Sequence, residues 1–564
     1  MTYILGLSGL ISENPSAALL KDGELIAAVE EERFNRIKHS QGYPFPENSI
    51  KFCLDYAGMT LDDVDKIAIG WASPSDHFKL QVFMGLKRPM LFLNAKAWLE
   101  SYKKTSNHDF YKDKRISYYI HHLSHCSSTF HVSGFDKANI ISMDGKGEAT
   151  STMLAEGKNS RDIKVLKEYT PLNSIGALYE AFTDYLGFKR HSHEGKVMGL
   201  ASYGRPIYDI SPIIKFSKNS YSCETPERYF SMLRNVGKKL KGERINSFRE
   251  LLIENFGKAR KKNEPITKRH ENIAATIQFI QEKTVIKLAK SLYERNGIRN
   301  FCLAGGSSLN CSSNGVLAEQ DFVENIFVQP ASSDAGTAIG AAFLEWIKLT
   351  KKKSDFKMKT AYYGPEYDNK EILKELKKSN LKYDYYKDIS GVVANLISKG
   401  KIVGWFQGRM EIGPRALGNR SILADPTKEN TKKRVNIQVK HRENWRPFAP
   451  SILSEAADEY LENVRHDPFM ILSFRVKKEK WKEIPSVVHI DGTTRPQTVR
   501  KEDNPKYYKL IKEFGKISGT PVVLNTSFND KEEPLVCSPK DALSCLKRTN
   551  LDFLAMGNYL VKGK

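Results

Sequence analysis

Short apolar runs alternate with amphipathic stretches along most of the chain. Tyr3-Ile-Leu-Gly-Leu-Ser8 and Gly23-Glu-Leu-Ile-Ala-Ala-Val29 predict strands with a turn between them. Ile140-Ile-Ser-Met-Asp144 and Asn300-Phe-Cys-Leu-Ala304 predict two more, each running into a glycine-containing turn. From Asn272 to Arg295, Ile273, Ile277, Ile280, Val285, Leu288 and Leu292 recur near helical spacing, and Gly297 suits the C-cap. This alternation predicts an α/β domain over residues 1–350. A lysine-rich linker near 349–359 separates it from a second domain over 360–564, with strands at Lys401–Phe406 and Thr520–Asn525.

Composition narrows the class. The 564 residues are 40% hydrophobic and 27% charged, as in ordinary globular proteins, which excludes disordered and fibrous chains. No window approaches eighteen consecutive apolar residues, so a membrane-spanning helix is not expected. The N-terminus lacks a charged leader and runs directly into a strand, which argues against a secretory signal. Seven scattered cysteines (53, 126, 223, 302, 311, 537 and 545) form no CxxC pair. They read as reduced thiols of a cytoplasmic protein rather than a disulfide frame or zinc site.

Charge changes the picture. Lys and Arg number 88 against 66 Asp and Glu, a net +22, and the excess is uneven. Lys238–Arg269 alone holds eleven Lys/Arg against four Asp/Glu. Such a stretch is either a solvated face or the footprint of a polyanionic partner such as nucleic acid.

Three constellations carry candidate chemistry. In His121-His122-Leu-Ser-His125 the outer histidines are four apart. On a helix they share a side and either hold one metal or are simply a satisfied pair. Asp144 and Asp334, each beside a glycine turn, could complete a mixed nitrogen and oxygen shell suited to iron(II) or manganese. Leu303-Ala-Gly-Gly-Ser-Ser-Leu-Asn310 and Asp334-Ala-Gly-Thr-Ala-Ile-Gly340 are either phosphate-cradling turns or plain strand–helix connections. Gly404 to Leu423 packs Arg409, Arg415 and Arg420 among glycines, with Lys440, Arg442 and Arg446 downstream. Clustered guanidinium groups suit a bound phosphate or nucleotide, with Arg495, Asn525, Ser527 and Asn529 as further donors.

In this order the motifs resemble the O-carbamoyltransferase family of antibiotic and nodulation-factor biosynthesis. Ala27-Ala-Val-Glu-Glu-Glu-Arg-Phe34 with Lys38-His39, and Glu194-Gly-Lys-Val-Met-Gly-Leu-Ala-Ser-Tyr-Gly204, belong to the match, which spans nearly the whole chain. The resemblance implies an N-terminal actin-like ATPase domain, RNase H-like and similar to threonylcarbamoyl transferases, and a C-terminal α/β YrdC-like domain. It implies an enzyme that makes carbamoyl adenylate from carbamoyl phosphate and Mg-ATP, then transfers the carbamoyl group to an acceptor hydroxyl. By position, His121, His125, Asp144 and Asp334 would hold iron(II) or another divalent metal. Arg415, Lys440, Arg446 and Arg495 would hold carbamoyl phosphate and nucleotide phosphates, with Asn525 and Ser527 nearby. Lys38 and the Gly305-Gly306 turn, with Asn310 at its end, would serve the adenylate at the transfer site. The chain departs from the family pattern at Glu13-Asn14, where relatives carry His-Asp, which leaves Glu13 as candidate base.

The acceptor stays open. The charge excess favours a hydroxymethylated base in DNA, such as 5-hydroxymethylcytosine, with Lys238–Arg269 on the backbone. A small natural product or sugar is the alternative within the same chemistry. A non-catalytic, basic nucleic-acid-binding protein of the same fold is a third reading.

Overall fold

Strands β1 (Tyr3–Ser8), β2 (Ser16–Lys21) and β3 (Glu24–Glu30) form where the sequence alternation places them, and the first two pair antiparallel from Tyr3↔Lys21 to Leu7↔Ala17. The computed structural model describes residues 1–8, 14–43, 45–73, 76, 110–226 and 247–563. With β4 (Lys66–Gly70) and β5 (Ile116–Tyr118), both parallel to β1 in succession, they make a five-stranded sheet in the order β3-β2-β1-β4-β5.

The same plan recurs in a second sheet. β6 (Lys137–Met143), β7 (Thr152–Lys158) and β8 (Asp162–Tyr169) form an antiparallel meander. A short hairpin follows, β9 (Ile214–Ser217) with β10 (Ser220–Cys223). β11 (Asn300–Ala304) and β12 (Asn325–Val328) then add in parallel, giving the order β8-β7-β6-β11-β12. Two copies of one five-stranded plan are the duplicated α/β arrangement expected of an actin-like domain. The predicted helix over 272–295 lies inside Lys268–Asn296, and Gly297 caps it at φ 69°.

Contacts divide the chain into two units. The first comprises Met1–Ile26 and Gly42–Lys357; the second comprises Ala27–Gln41 and Met358–Lys564. The change at 357/358 falls in the lysine-rich linker. The return of Ala27–Gln41 to the second unit has no signal in hydrophobic periodicity.

The second unit is built on an eight-stranded mixed sheet. Its strands are β13 (Tyr383–Tyr385), β14 (Val403–Phe406), β15 (Arg420–Ala424), β16 (Ala449–Leu453), β19 (Gln497–Val499), β20 (Val522–Ser527), β21 (Phe553–Met556) and β22 (Tyr559–Lys562). A two-residue pair, β17 (Phe474–Arg475) with β18 (Thr493–Thr494), lies outside it. The order is β13-β22-β21-β14-β15-β20-β16-β19. Helices Ile389–Ser398 and Pro505–Ser518 contribute Val393, Ile397, Tyr507 and Phe514 to a buried core with Trp405 and Val523. Among the described residues no helix is long and apolar enough to cross a membrane, and all seven cysteines are buried free thiols.

One contact in the first unit sets the spacing of two helices. Helix His121–Ser133 is rich in Ser and Thr, and helix Ala335–Thr350 packs against it. A Cβ on Gly340 would lie 1.8 Å from Ser124 O, so only glycine permits this approach. Gly340→Ala is therefore expected to lower unfolding free energy by roughly 3 kcal/mol in urea titration, because backbone rather than side chain must move. Gly195→Ala, whose Cβ meets nothing within 4 Å, is the control. It is expected to stabilise by up to about 1 kcal/mol through helix propensity.

Candidate active site

Ile120 gives the helix His121–Ser133 no side-chain cap. Glu148 takes over, accepting from the backbone N–H of His121 at 3.1 and 3.2 Å and from that of Ala72 at 2.7 Å. Nothing in its sequence surroundings marked Glu148. One helical turn then sets His121 and His125 with their Nε2 atoms 3.0 Å apart. Asp144, just past β6, brings Oδ2 to 3.2 Å from His125 Nε2 and 3.9 Å from His121 Nε2. Asp334, leading into helix Ala335–Thr350, brings Oδ1 to 3.6 Å from His121 and 4.0 Å from His125. One ligand atom from each of the four lies within 4.8 Å of every other. His122 does not join them; its Nδ1 meets Ser142 Oγ at 2.8 Å.

The electrostatics suit a cation. Both imidazoles are fully buried. Burial works against a charged His121, but the carboxylates of Asp334 and Asp144 hold it up to about 9. His125 is pushed down by burial and by the neighbouring His121 charge. Burial opposes ionisation of Asp144, yet its contacts with His121 and His125 keep it well below the usual carboxylate range. Two imidazole nitrogens and two carboxylate oxygens so close together fit one divalent cation, which would replace the proton they share.

The Gly305-Gly306 turn lies against this site. Gly305 has φ +88°, and a Cβ there would meet Met143 O at 2.2 Å. A Cβ on Gly306 would sit 3.1 Å from Asp144 Oδ1, so the turn brings its backbone beside the carboxylate. Asn310 is occupied otherwise. Its Oδ1 caps helix Cys311–Ala318 through Ser313 N–H at 3.1 Å, and its Nδ2 donates to Gln278 Oε1 at 2.8 Å. It shapes the turn. Glu13 lies outside the described residues.

The second unit gathers the cations. A π-helical turn, Val435–Val439, delivers Lys440. The Lys440 ammonium donates to Ser527 O at 2.8 Å, Ser527 Oγ at 3.2 Å and Asn529 O at 2.9 Å, and also meets Asn529 Oδ1. Burial and then the Arg442 charge push it well below its usual range. Arg442 is likewise depressed, by burial and by Arg446 and Arg495. Burial lowers Arg446 as well. Among the described residues the only ion pair within 4 Å made by Lys440, Arg442, Arg446 or Arg495 is Arg446–Glu443, at 3.9 Å. Asn525 Nδ2 donates to Ala416 O, next to Arg415, at 3.1 Å and to Ser451 Oγ at 3.0 Å. That bond to a carbonyl fixes the amide orientation, leaving the buried Oδ1 with no hydrogen-bond partner.

Two arginines of the arginine-rich stretch are bound to backbone carbonyls. Arg420 is buried and donates to Gln407 O at 2.7 Å, Asn419 O at 3.0 Å and Pro365 O at 3.1 Å. Arg409 donates to Tyr363 O at 2.6 Å. Both bind backbone carbonyls, partly on the 363–365 segment. Glu411 Oε1 gathers the backbone N–H groups of Leu417, Asn419 and Arg420 at 2.7–3.0 Å. Arg415, on the same loop, is half-buried, whereas Arg420 is wholly enclosed. Lys38, exposed to a similar degree as Arg415, sits in the Ala27–Gln41 segment of the second unit.

Two family models match the chain. The model described as carbamoyltransferase N-terminus matches residues 3–343, and that described as carbamoyltransferase C-terminus matches 394–563. The chain belongs to the carbamoyltransferase family. Among its relatives, nodulation protein NolNO of Sinorhizobium fredii is 37% identical over 99% of this chain and 80% of its own length. Nodulation protein U of Rhizobium tropici is 28% identical over 92% of this chain and 90% of its own. Among solved structures, component A of the Acidaminococcus fermentans (R)-2-hydroxyglutaryl-CoA dehydratase overlaps 62% of this chain and 99% of its own. Its TM-score is 0.33 at 15% identity, too loose an overlap to argue from.

Cation binding by this carbamoyltransferase should release a proton. Below about pH 9 His121 is protonated in the metal-free site and must lose that proton to ligate, so apparent affinity rises with pH and levels off above it. Calorimetric titration of manganese(II) in buffers of different ionisation enthalpy checks this. His121→Ala should remove both the binding and the proton release.

Proposed function

We propose that this carbamoyltransferase makes carbamoyl adenylate from carbamoyl phosphate and ATP in its second unit and transfers the carbamoyl group to an acceptor hydroxyl at the first. The observation that carries the reading is the cationic cluster. Burial depresses Lys440, Arg442 and Arg446, neighbouring arginines depress Lys440 and Arg442 further, and an anion bound among them would offset that cost. Arg415 and Arg495 extend the cluster toward a second phosphate. Lys440 acts through charge and by holding the Ser527–Asn529 loop. The buried Oδ1 of Asn525 is an acceptor suited to the N–H of a carbamoyl group, which acetyl phosphate lacks.

The chemistry balances in two stages. Water splits carbamoyl phosphate into carbamate and phosphate, and a carbamate oxygen then attacks the α-phosphorus of ATP as pyrophosphate leaves. The acceptor oxygen attacks the carbamoyl carbon, the bond from that carbon to AMP oxygen breaks, and the hydroxyl proton goes to a base. In the first unit, His121, His125, Asp144 and Asp334 would hold a divalent cation, for which their donor set favours iron(II) or manganese. Such a cation supplies Lewis-acid stabilisation of developing negative charge. The Gly305-Gly306 backbone beside Asp144 would support the adenylate.

For the acceptor we favour a hydroxyl on a small sugar-bearing molecule. Two relatives carry the name nodulation protein, and the basic segment is less available to DNA than its charge suggests. Arg260 donates to Leu186 O at 2.8 Å and Glu264 O at 2.9 Å, and Arg269 to Phe256 O at 2.6 Å and Lys258 O at 2.7 Å. Both side chains bind their own fold; residues 238–246 lie outside the described residues.

Exchange of labelled pyrophosphate into ATP, dependent on carbamoyl phosphate, tests the first stage. Arg415→Ala or Arg442→Ala should reduce it about 100-fold while cooperative unfolding persists, given the strength of charged hydrogen bonds. His121→Ala should spare exchange and block transfer; loss of both stages would refute the division of labour. Mass spectrometry of products from a saccharide panel and from 5-hydroxymethylcytosine DNA identifies the acceptor. Carbamoylation of the DNA alone would overturn our choice of acceptor and leave the reaction standing.

A further inference from the structure

The segment Ala27–Gln41 enters the second unit with its charges buried. Glu30 is 5% and Arg33 2% exposed. Arg33 Nη2 donates to Glu30 Oε1 at 3.0 Å, and Arg33 Nη1 pairs with Glu32 Oε1 at 2.8 Å. The Arg33–Glu30 pair closes on one residue of the arginine loop. Glu30 Oε1 accepts from Gly413 N–H at 2.7 Å, and Arg33 Nη2 donates to Gly413 O at 2.8 Å. Both backbone groups of Gly413 are thereby fixed, two residues before Arg415. Phe34 packs on the apolar cluster of Met410, Ala416, Leu535 and Cys537, which contains the residue just after Arg415. Arg36 donates to Pro534 O at 2.9 Å and to Leu535 O, in the stretch that follows Asn529.

A buried ion pair is a poor source of stability, because desolvating both charges offsets most of their attraction. What this pair does distinctively is bond both the N–H and the C=O of a single glycine. Gly413 has φ +96°, so the loop here takes a conformation other residues rarely adopt and needs outside support to keep one geometry. Directly beyond it stands the guanidinium assigned to an anion.

We propose that Glu30 and Arg33 are positioning residues that hold the Gly413–Ala416 loop so that Arg415 meets its anion pre-oriented. The Ala27–Phe34 motif thus serves anion capture in the second unit although it precedes nearly all of the first unit in sequence. The proposal rests on the reading of the Arg415 cluster as a phosphate site.

Inorganic pyrophosphate is titrated calorimetrically into full-length wild type, R33M, R33K, R415A and the double variant R33M/R415A. Exchange of pyrophosphate into ATP, dependent on carbamoyl phosphate, is measured alongside. R33M should weaken pyrophosphate binding about tenfold, the order expected for misplacing one charged contact. R33K should recover part of the loss. The double variant should bind no more weakly than R415A alone, since residues acting through one contact are not additive. Wild-type affinity in folded R33M, or losses in R33M and R415A that add, would overturn the proposal, as would a wild type that binds no pyrophosphate. If R33M does not unfold cooperatively in urea, E30Q, which keeps the volume and removes the charge, takes its place in the same cycle. Wild type that binds pyrophosphate without carbamoyl-phosphate-dependent exchange would sink the adenylate reading, while the titrations still decide the positioning.

Discussion

The first unit depends on how closely two helices approach. With the backbones of Gly340 and Ser124 in contact, Asp334 at the head of one helix comes within 4 Å of His121 and His125 on the other. Those two helices and β6 then need no further device to assemble four donors, because each contributes residues at its end or first turn. Glu148 fixes the remaining freedom by capping the histidine helix from a different part of the chain. The result is a cluster of two imidazoles and two carboxylates in which opposing carboxylates favour a protonated His121.

The second unit poses the inverse problem. A buried lysine and several half-buried arginines are gathered in one place, with few carboxylates near enough to neutralise them. Proteins tolerate this where a ligand brings the missing charge, and the surrounding scaffold is correspondingly elaborate. Glu411 gathers three N–H groups, Arg420 bridges carbonyls from three parts of the fold, and Lys440 organises the Ser527–Asn529 loop. Much of the apparent cationic excess of the arginine-rich motif therefore goes into shape.

The elements that sequence reading located well are those with strong local signals. The helix within Lys268–Asn296 has a repeating apolar face and a terminal glycine; β1 and β20 are short apolar runs near turns. His121 and His125 were legible because their spacing matches one helical turn. Asp144 and Asp334 were legible as carboxylates beside glycine turns, although only folding shows that both reach the same two imidazoles. Glu148 and the Glu30–Arg33 pair were assigned no role, since each acts on backbone groups far away in the chain. The carbonyl-binding roles of Arg409 and Arg420 were equally hidden, because one residue type at similar spacing meets different carbonyls.

The order of residues along the chain was enough for the α/β class and the family, because each rests on local periodicity, composition or ordered motifs. Folding was needed to assign Ala27–Gln41 to the second unit, to bind Arg409 and Arg420 to backbone carbonyls, and to make Asn310 a helix cap. These outcomes depend on which carbonyl, carboxylate or apolar face lies across from a side chain, and a linear order of residues does not contain that distance.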